Sequence, residues 1–338
     1  MKRSDGHGAR VTLKDIATDT GYSITAVSHA LNNRSDISEA AKERIRDSAR
    51  RLGYLGNGAA AALQTGVTRT IAVLVCDMAN PHFAFMSKII ETQLRENNYS
   101  CFFMNTDENE KIELQCLQLA LRQNVDGLIW CPVQASGSVA NLRLVQASRV
   151  PFVLIGRHFP GETASCVRLD DEKAGFLVGR HLMEKGHFNT VFLNTSRTNS
   201  SSAERLAGFV SAYDRSPVPL KNRVVSFDED GRYMGQLLTA QKTWAEDAVV
   251  AFNDLIAWDV MTRARQLSPA LLSALSIAGF DNLHSCLSLP FALTSVSASK
   301  VAMPRRAVDI LLQQIEHPGM PLSSLTLDVE LIDRGSVV

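Results

Sequence analysis

Between residues 12 and 32, small and apolar side chains recur at helical intervals, break off, and recur again. Leu13, Ile16, Ala17 and Thr20 fall at i, i+3, i+4 and i+7, so one face is fit to pack, and Ala17 is small enough for a second helix to cross closely. Thr12 and Asp15 form a T-x-x-D capping box ahead of this stripe. Gly21 tolerates the left-handed backbone of a tight turn, and Ser23 is a good N-cap for a second helix whose inner stripe is Val27, Ala30 and Leu31. The outer face of that helix presents Ile24, Thr25, Ser28, His29 and Asn32, short groups able to reach base edges or the thymine methyl in a major groove. This is the spacing of a helix-turn-helix, and it also fits a plain packing hairpin. A third helix is expected from a Ser38 cap through Leu52, with Ala41, Ile45, Ala49 and Leu52 inward and Lys42, Arg44, Arg46, Arg50 and Arg51 supplying charge.

Residues 56–66, GNGAAAALQTG, are a glycine-bounded alanine run too short to be a stable helix alone in water, and they read as a conditional helix and linker. Beyond them, strand-like apolar runs at 71–76, 101–105, 127–131 and 152–155 alternate with amphipathic helices at 83–97 and 112–122. The rhythm restarts after Cys166, with helices at 174–185, 203–215, 233–241 and 256–265 and strands at 190–194, 224–227, 248–252 and 275–280. Such alternation predicts an α/β fold of mostly parallel sheets with helices on both faces. Two similar lobes in tandem imply a ligand in the cleft between them, at the C-terminal ends of the strands.

Charge sharpens the division. Residues 1–66 hold ten Lys and Arg against seven Asp and Glu, a net of +3, so the neutral chain leaves −3 on the other 272 residues. The sign suits a phosphate-facing head on a neutral body, and an ordinary solvated face carries the same charge. At 338 residues and 45% hydrophobic content the chain is long enough for two or three compact domains. No apolar run has the length of a membrane helix and the first residues lack the apolar stretch of a signal peptide, so the expected location is cytoplasmic, with no membrane partner. The six cysteines (76, 101, 116, 131, 166 and 286) show no C-x-x-C spacing and read as reduced small hydrophobes rather than metal ligands or disulfides.

Taken in order, VTLKDIA, VSHALN, ISEAAKERI, RLGYLGN, TRTIAVLV, NPHFAFM, NVDGLI, HLMEKGH, AERLAGF, FNDLIAWDV, IAGFDN and LTSV resemble the LacI/GalR family of bacterial transcription regulators, from about Val11 to Val337. The resemblance implies a helix-turn-helix DNA-binding domain over 10–55, a hinge helix or linker over 56–68, and a two-lobed core over 69–338 like periplasmic sugar-binding proteins. Lobe 1 is expected at about 69–165 and 295–322, and lobe 2 at about 166–292 and 326–338. It further implies a homodimer on a pseudo-palindromic double-stranded operator, controlled by a small-molecule effector, most often a carbohydrate, with no cofactor and no metal. Carried over by position, Thr25 and His29 read bases with Ile24 beside them, and Asn32 and Tyr54 lie near the backbone. Thr12, Ser23, Ser28 and Asn57 complete the DNA-contacting set, and Leu63 is the hinge wedge that enters the minor groove and kinks the operator.

In the cleft the resemblance points to Asn80 and Phe83 from the first lobe and Arg205, Asn253 and Asp281 from the second. Their chemistry suits a polyol: Arg205 offers a planar donor fork, Asp281 accepts from vicinal hydroxyls, Asn253 does both, and Phe83 covers an apolar sugar face. Asp77 and Arg157 lie at strand ends of the same class, with Arg157 equally readable as a charge between the lobes, while Trp258 reads as core packing. The chain departs from the family at His29, where many members have Arg. It departs again at Gly56 and Ala61 in the hinge and at Pro304, which a helix tolerates only in its first turn. No heptad tail predicts a tetramer.

An enzyme reading finds no G-x-x-x-x-G-K-[ST], G-x-S-x-G or H-E-x-x-H motif, and Gly6-His7-Gly8 follows no strand. The alternatives that stay open are a solute-binding protein without regulatory DNA binding and a co-repressor-type regulator sensing a nucleobase or phosphorylated metabolite.

Overall fold

Parallel strands buried on both faces read as unbroken apolar runs, and the second part of this chain is built on two sets of them. The computed structural model describes residues 11–55, 66–134, 138–195, 199–227, 246–285, 287 and 292–338. They divide into two units, Met1–Thr68 and Arg69–Val338. The expected hinge residues 56–65, including Asn57, Ala61 and Leu63, lie outside the described residues, as do the helix expected at 233–241 and Cys286.

The first unit contains the three expected helices, α1 (Leu13–Thr20), α2 (Ile24–Leu31) and α3 (Glu39–Leu52). At the first helix the Asp15 carboxylate accepts from both the N–H and the hydroxyl of Thr12, each at 2.8 Å. Gly21 sits at φ +77° and returns its N–H to Ala17 O, which ends α1. Ser23 and Ser38 cap the next two helices through the N–H groups of Ala26 and Ala41. Ile16, Val27, Ala30, Ile45 and Ala49 close the small core, with Leu52 and Tyr54 packed on it. One expected surface charge is not on the surface. Lys42 is buried and pairs at 2.7 Å with Glu39, one turn back on the same helix.

The second unit holds two six-stranded sheets. Strands β1 (Thr70–Val75), β2 (Ser100–Asn105), β3 (Gly127–Trp130), β4 (Phe152–Ile155), β5 (Cys166–Leu169) and β11 (Ser324–Leu327) form the first, in the order β11-β5-β4-β3-β1-β2, all parallel. The second takes β6 (Asn189–Thr195), β7 (Lys221–Phe227), β8 (Ala248–Ala251), β9 (Ser276–Phe280), β10 (Thr294–Ser297) and β12 (Glu330–Ile332). Its order is β12-β10-β9-β8-β6-β7, with only β12 antiparallel to its neighbour. Helices α4 (Pro81–Glu96), α5 (Glu110–Arg122), α6 (Ser138–Ser148) and α11 (Ala302–Glu316) flank the first sheet. Flanking the second are α7 (Asp171–Glu184), α8 (Ser200–Ser211) and α9 (Asp254–Leu267), with the short α10 (Pro269–Ala274) after them. Pro304 is the third residue of α11, within the first turn, where its missing N–H costs no helix bond. Among the described residues no helix is long and apolar enough to cross a membrane.

The lobe crossings fall a few residues from those expected. Cys166–Leu169 pairs in register with β4 and β11, so the chain leaves the first lobe after Leu169 rather than at 165. Thr294–Ser297 belongs to the second sheet rather than the first lobe, and Ser324–Leu327 returns to the first sheet. A four-residue strand has no local signal for which sheet it joins. Partner strands distant in sequence decide that.

Helices α7 and α8 approach backbone to backbone. A Cβ on Gly175 would stand 1.9 Å from Arg205 O, and one on Gly208 would stand 1.8 Å from Glu172 O. Gly208→Ala must therefore push the two helices apart, and a loss of about 3 kcal/mol in denaturant unfolding of the second unit is expected. Gly161→Ala, at φ +78° but facing open space, should cost only about 1 kcal/mol. Equal midpoints for the two variants would show that the helix contact is not tight.

Candidate functional site

On α2 the five outward residues keep the face the periodicity assigns. Ile24 is 49% exposed, Thr25 and Asn32 are exposed, and Ser28 and His29 are half-buried. Thr12 and Ser23 stand at the N-termini of α1 and α2, where backbone N–H groups and the helix dipole favour phosphate. Tyr54 packs on the core of the head. His29 is not a free donor: its Nδ1 lies 2.6 Å from Asp36 Oδ2. This bond holds the Asp36 carboxyl below its ordinary value and fixes the ring, so Nε2 is the nitrogen left to face a partner. The pattern of α2 cannot reveal this contact, since Asp36 lies beyond the helix end.

In the second unit all seven residues expected in the cleft line one cavity of about 350 Å³: Asp77, Asn80, Phe83, Arg157, Arg205, Asn253 and Asp281. Most follow the C-terminal ends of strands. Asp77 lies past β1, Arg157 past β4, Asn253 past β8 and Asp281 past β9. Asn80 and Asn253 are also N-caps, their side-chain oxygens accepting from the N–H groups of His82 at 2.9 Å and Ile256 at 3.0 Å. Capping leaves the amide N–H2 as the part available to a ligand.

Arg205 is the centre of the second-lobe wall. Its Nε donates to Asp171 Oδ1 at 2.7 Å, Nη1 to Phe252 O at 2.7 Å, and Nη2 reaches Asp281 Oδ1 at 3.5 Å. The rings of Phe252 and Phe280 lie 5.0 and 4.8 Å from the guanidinium carbon. Burial works against its charge, and Asp171 and Asp281 more than offset it, raising the Arg205 pKa. Burial likewise pushes the Asp281 carboxyl up. The positive charges of His82 when protonated, of Arg205 and of Lys300 overcome that and hold it below the usual carboxylate range.

Arg157 resolves to the cavity wall of the first lobe and not to a charge between the lobes. It is 6% exposed and grips Glu108 with two bonds of 2.8 and 2.6 Å. Trp258 packs on the second-lobe core, as expected.

Several further groups in and behind the cleft have no mark in the sequence pattern. Glu108 and Asp171 supply the partners of the two arginines. His82 lines the same cavity, with Nδ1 buried and without a partner among the described residues, and burial holds its pKa down. Asp254 accepts from Leu283 N–H and Ser295 Oγ, both at 2.7 Å, and Ser295 Oγ accepts from Asn282 N–H at 3.0 Å. Together they hold the loop in which Asp281 and Asn282 adopt φ of +94° and +47°. The N-D pair after a strand was the available signal. Of that pair the resemblance assigns a cleft role to Asn253 only.

Residues 12–57 match the family described as bacterial regulatory proteins, lacI family, and residues 68–331 match periplasmic binding proteins and sugar binding domain of LacI family. The chain is 26% identical over 332 residues to the HTH-type transcriptional repressor PurR of Mannheimia succiniciproducens, covering 96% of this chain and 98% of that one. Its fold is similar to that of the lac repressor dimer solved with operator and the anti-inducer ONPF, with a TM-score of 0.79 at 20% identity over 98% and 100% of the two chains. It is also similar to a LacI family transcriptional regulator from Enterococcus faecium with bound ribose, with a TM-score of 0.69 at 25% identity over 80% and 98%.

Asp254 gives a pH signature. Burial pushes its carboxyl from 3.8 up to about 7, so the folded state holds a proton that the unfolded state releases between these values. Stability is full below about pH 4 and is lost as pH rises through about 7, by at most about 4 kcal/mol. Asp254→Asn mimics the protonated form, and its unfolding midpoint should fall less than the wild type's between about pH 5 and pH 8. Parallel losses would show that Asp254 is already ionised at the lower pH.

Proposed function

Because the chain belongs to the LacI family of bacterial regulatory proteins, we propose that it is a sequence-specific DNA-binding transcriptional repressor whose operator affinity is set by a neutral polyhydroxyl effector, a sugar or close derivative. The observation that carries the reading is the convergence of the seven cleft residues on one cavity whose arginines are already charge-matched. Four carboxylates (Asp77, Glu108, Asp171 and Asp281) face it with two guanidiniums (Arg157 and Arg205). A phosphorylated ligand would add negative charge to a surplus of it and would have to displace a bonded carboxylate. A sugar needs neither. Asp281 accepts from adjacent hydroxyls while Arg205 fixes it, the amide groups of Asn80 and Asn253 donate, and Phe83 covers the apolar face of the ring.

In the head, Thr25, Ser28, His29 and Ile24 address base edges, while Thr12, Ser23, Asn32, Tyr54 and Asn57 address the backbone. His29, held through Nδ1–H by the Asp36 carboxylate, presents Nε2 as an acceptor to a base amino group when the ring is neutral and donates a single hydrogen bond to a guanine acceptor only as the imidazolium, where arginine would donate two. Two copies in a homodimer place two such helices in successive major grooves of a pseudo-palindrome, and Leu63 wedges the central step. The protein acts in the cytoplasm as a regulator and not as an enzyme. Effector closing the lobes changes operator affinity by about 5- to 150-fold, corresponding to about 1 to 3 kcal/mol of coupling.

Thermal unfolding against sugars, polyols, sugar phosphates and purines identifies the effector, since a ligand at about 100 times its Kd adds roughly 2.7 kcal/mol. The expected hit is a neutral sugar, lost in Asp281→Ala while operator binding persists. A sugar phosphate or purine as the sole hit overturns the assignment. Leu63→Ala should weaken specific operator binding more than nonspecific DNA binding, and equal losses would rule out the wedge.

A further inference from the structure

Three thiols gather around Arg157, Cys76 and Cys131 just past the C-terminal ends of β1 and β3 and Cys166 at the start of β5, and effector binding as described uses none of them. Cys76 Sγ lies 3.3 Å from Arg157 Nη1 and 3.4 Å from Cys131 Sγ. Cys166 Sγ lies 3.6 Å from Arg157 O. Cys76 is fully buried, while Cys131, although only 2% exposed, borders the cleft cavity. In the β1–β3 pairing Leu74 stands opposite Trp130, so Cys76 and Cys131 are one residue off direct opposition. Strands about 4.8 Å apart that rise about 3.3 Å per residue place the two Cα atoms within the roughly 4.4–6.8 Å that a disulfide spans.

Two thiols in contact can share a soft metal ion or become a disulfide. The guanidinium beside them opposes a cation, and among the described residues no group of three or more His, Cys, Asp or Glu could hold a metal. The same positive charge favours the thiolate on which oxidation depends. Burial and the contact with Cys131 outweigh it at Cys76, whose thiol is pushed up. Cys131, on the cavity wall, is therefore the sulfur a small oxidant meets first.

We propose that Cys76 and Cys131 form a reversible intramolecular disulfide when hydrogen peroxide enters the cleft, which makes the floor of the first lobe an oxidant-sensing site. Cys131 sulfur, its proton released, attacks one peroxide oxygen; the O–O bond breaks, the departing hydroxide takes a proton to leave as water, and Cys131 becomes a sulfenic acid. Cys76 sulfur then attacks Cys131 sulfur and displaces hydroxide, which leaves as water with the Cys76 proton. Two thiols and one peroxide give a disulfide and two waters, the sulfurs supplying both electrons. The sulfurs must close from 3.4 Å to about 2.05 Å, drawing on the segment that leads from Cys131 to Gln134. Gln134 Oε1 accepts from Ser200 N–H at 2.7 Å, at the start of the helix that carries Arg205. Oxidation thus pulls on a contact between the lobes.

The test uses the full chain, reduced, freed of reductant, exposed to hydrogen peroxide and denatured in an alkylating reagent. The expected result is loss of two of the six alkylatable thiols, with peptides containing Cys76 and Cys131 joined and dithiothreitol restoring both. Cys76→Ser and Cys131→Ser each abolish the link, and Cys101→Ser keeps it. Six thiols alkylated as in the untreated protein, oxidation stopping at the sulfinic acid of Cys131, or a link between other cysteines would overturn the proposal. The wild-type peptide map decides this even where a variant fails to fold.

Discussion

The close crossing of α7 and α8 through Gly175 and Gly208 is the constraint on which the binding cleft depends. It brings two helix backbones to a separation that no side chain permits, and so seats Arg205 of one helix against Asp171 of the other. Without that carboxylate the buried guanidinium would keep only the longer 3.5 Å contact to Asp281 as charge compensation. Arg205 then reaches Phe252 O and Asp281, and so ties the ends of β8 and β9 to the helix pair. The wall facing the ligand is thus held by one planar cation whose place is set by two missing side chains.

The first lobe solves the same problem with different parts. Arg157 takes Glu108 as its bidentate partner and adds Pro132 O and Cys76 Sγ, so its charge is matched inside its own lobe. Each cleft arginine therefore has its carboxylate before any ligand arrives. Polar side chains held in place by such networks lose little freedom on binding, which favours orientation-dependent recognition of hydroxyl groups. Asp254 extends the logic one layer back, using a buried carboxyl to hold the loop that presents Asp281.

Much of the architecture was legible along the chain. The periodic stripes of Leu13 to Thr20 and of Val27 to Leu31, with Gly21 and Ser23 between them, are local signals, and the head follows them. The strand and helix alternation was equally plain because parallel strands buried on both faces are continuous apolar runs. The lobe crossings were less so. Cys166–Leu169 and Thr294–Ser297 are strands of four residues, and their membership in one sheet or the other depends on partners distant in sequence. Five of the seven cleft residues came from resemblance by position, Asp77 and Arg157 came from their places at strand ends, and geometry brought all of them to one cavity. Glu108, Asp171, His82 and Asp254 carried no such mark, since a charged or polar residue near a helix start is ordinarily a solvated one.

The sequence by itself determined what is local: helix and strand positions, caps and turns, the sign of charge on the head, and the face that α2 presents. These follow from side-chain periodicity and backbone preference over a few residues. Tertiary structure alone decided the long-range pairings: each cleft arginine matched to its carboxylate, and Cys76 set against Cys131. Burial makes an unpaired charge costly, so these partners are selected by proximity in the folded chain, and proximity between residues tens of positions apart is not written in any local pattern.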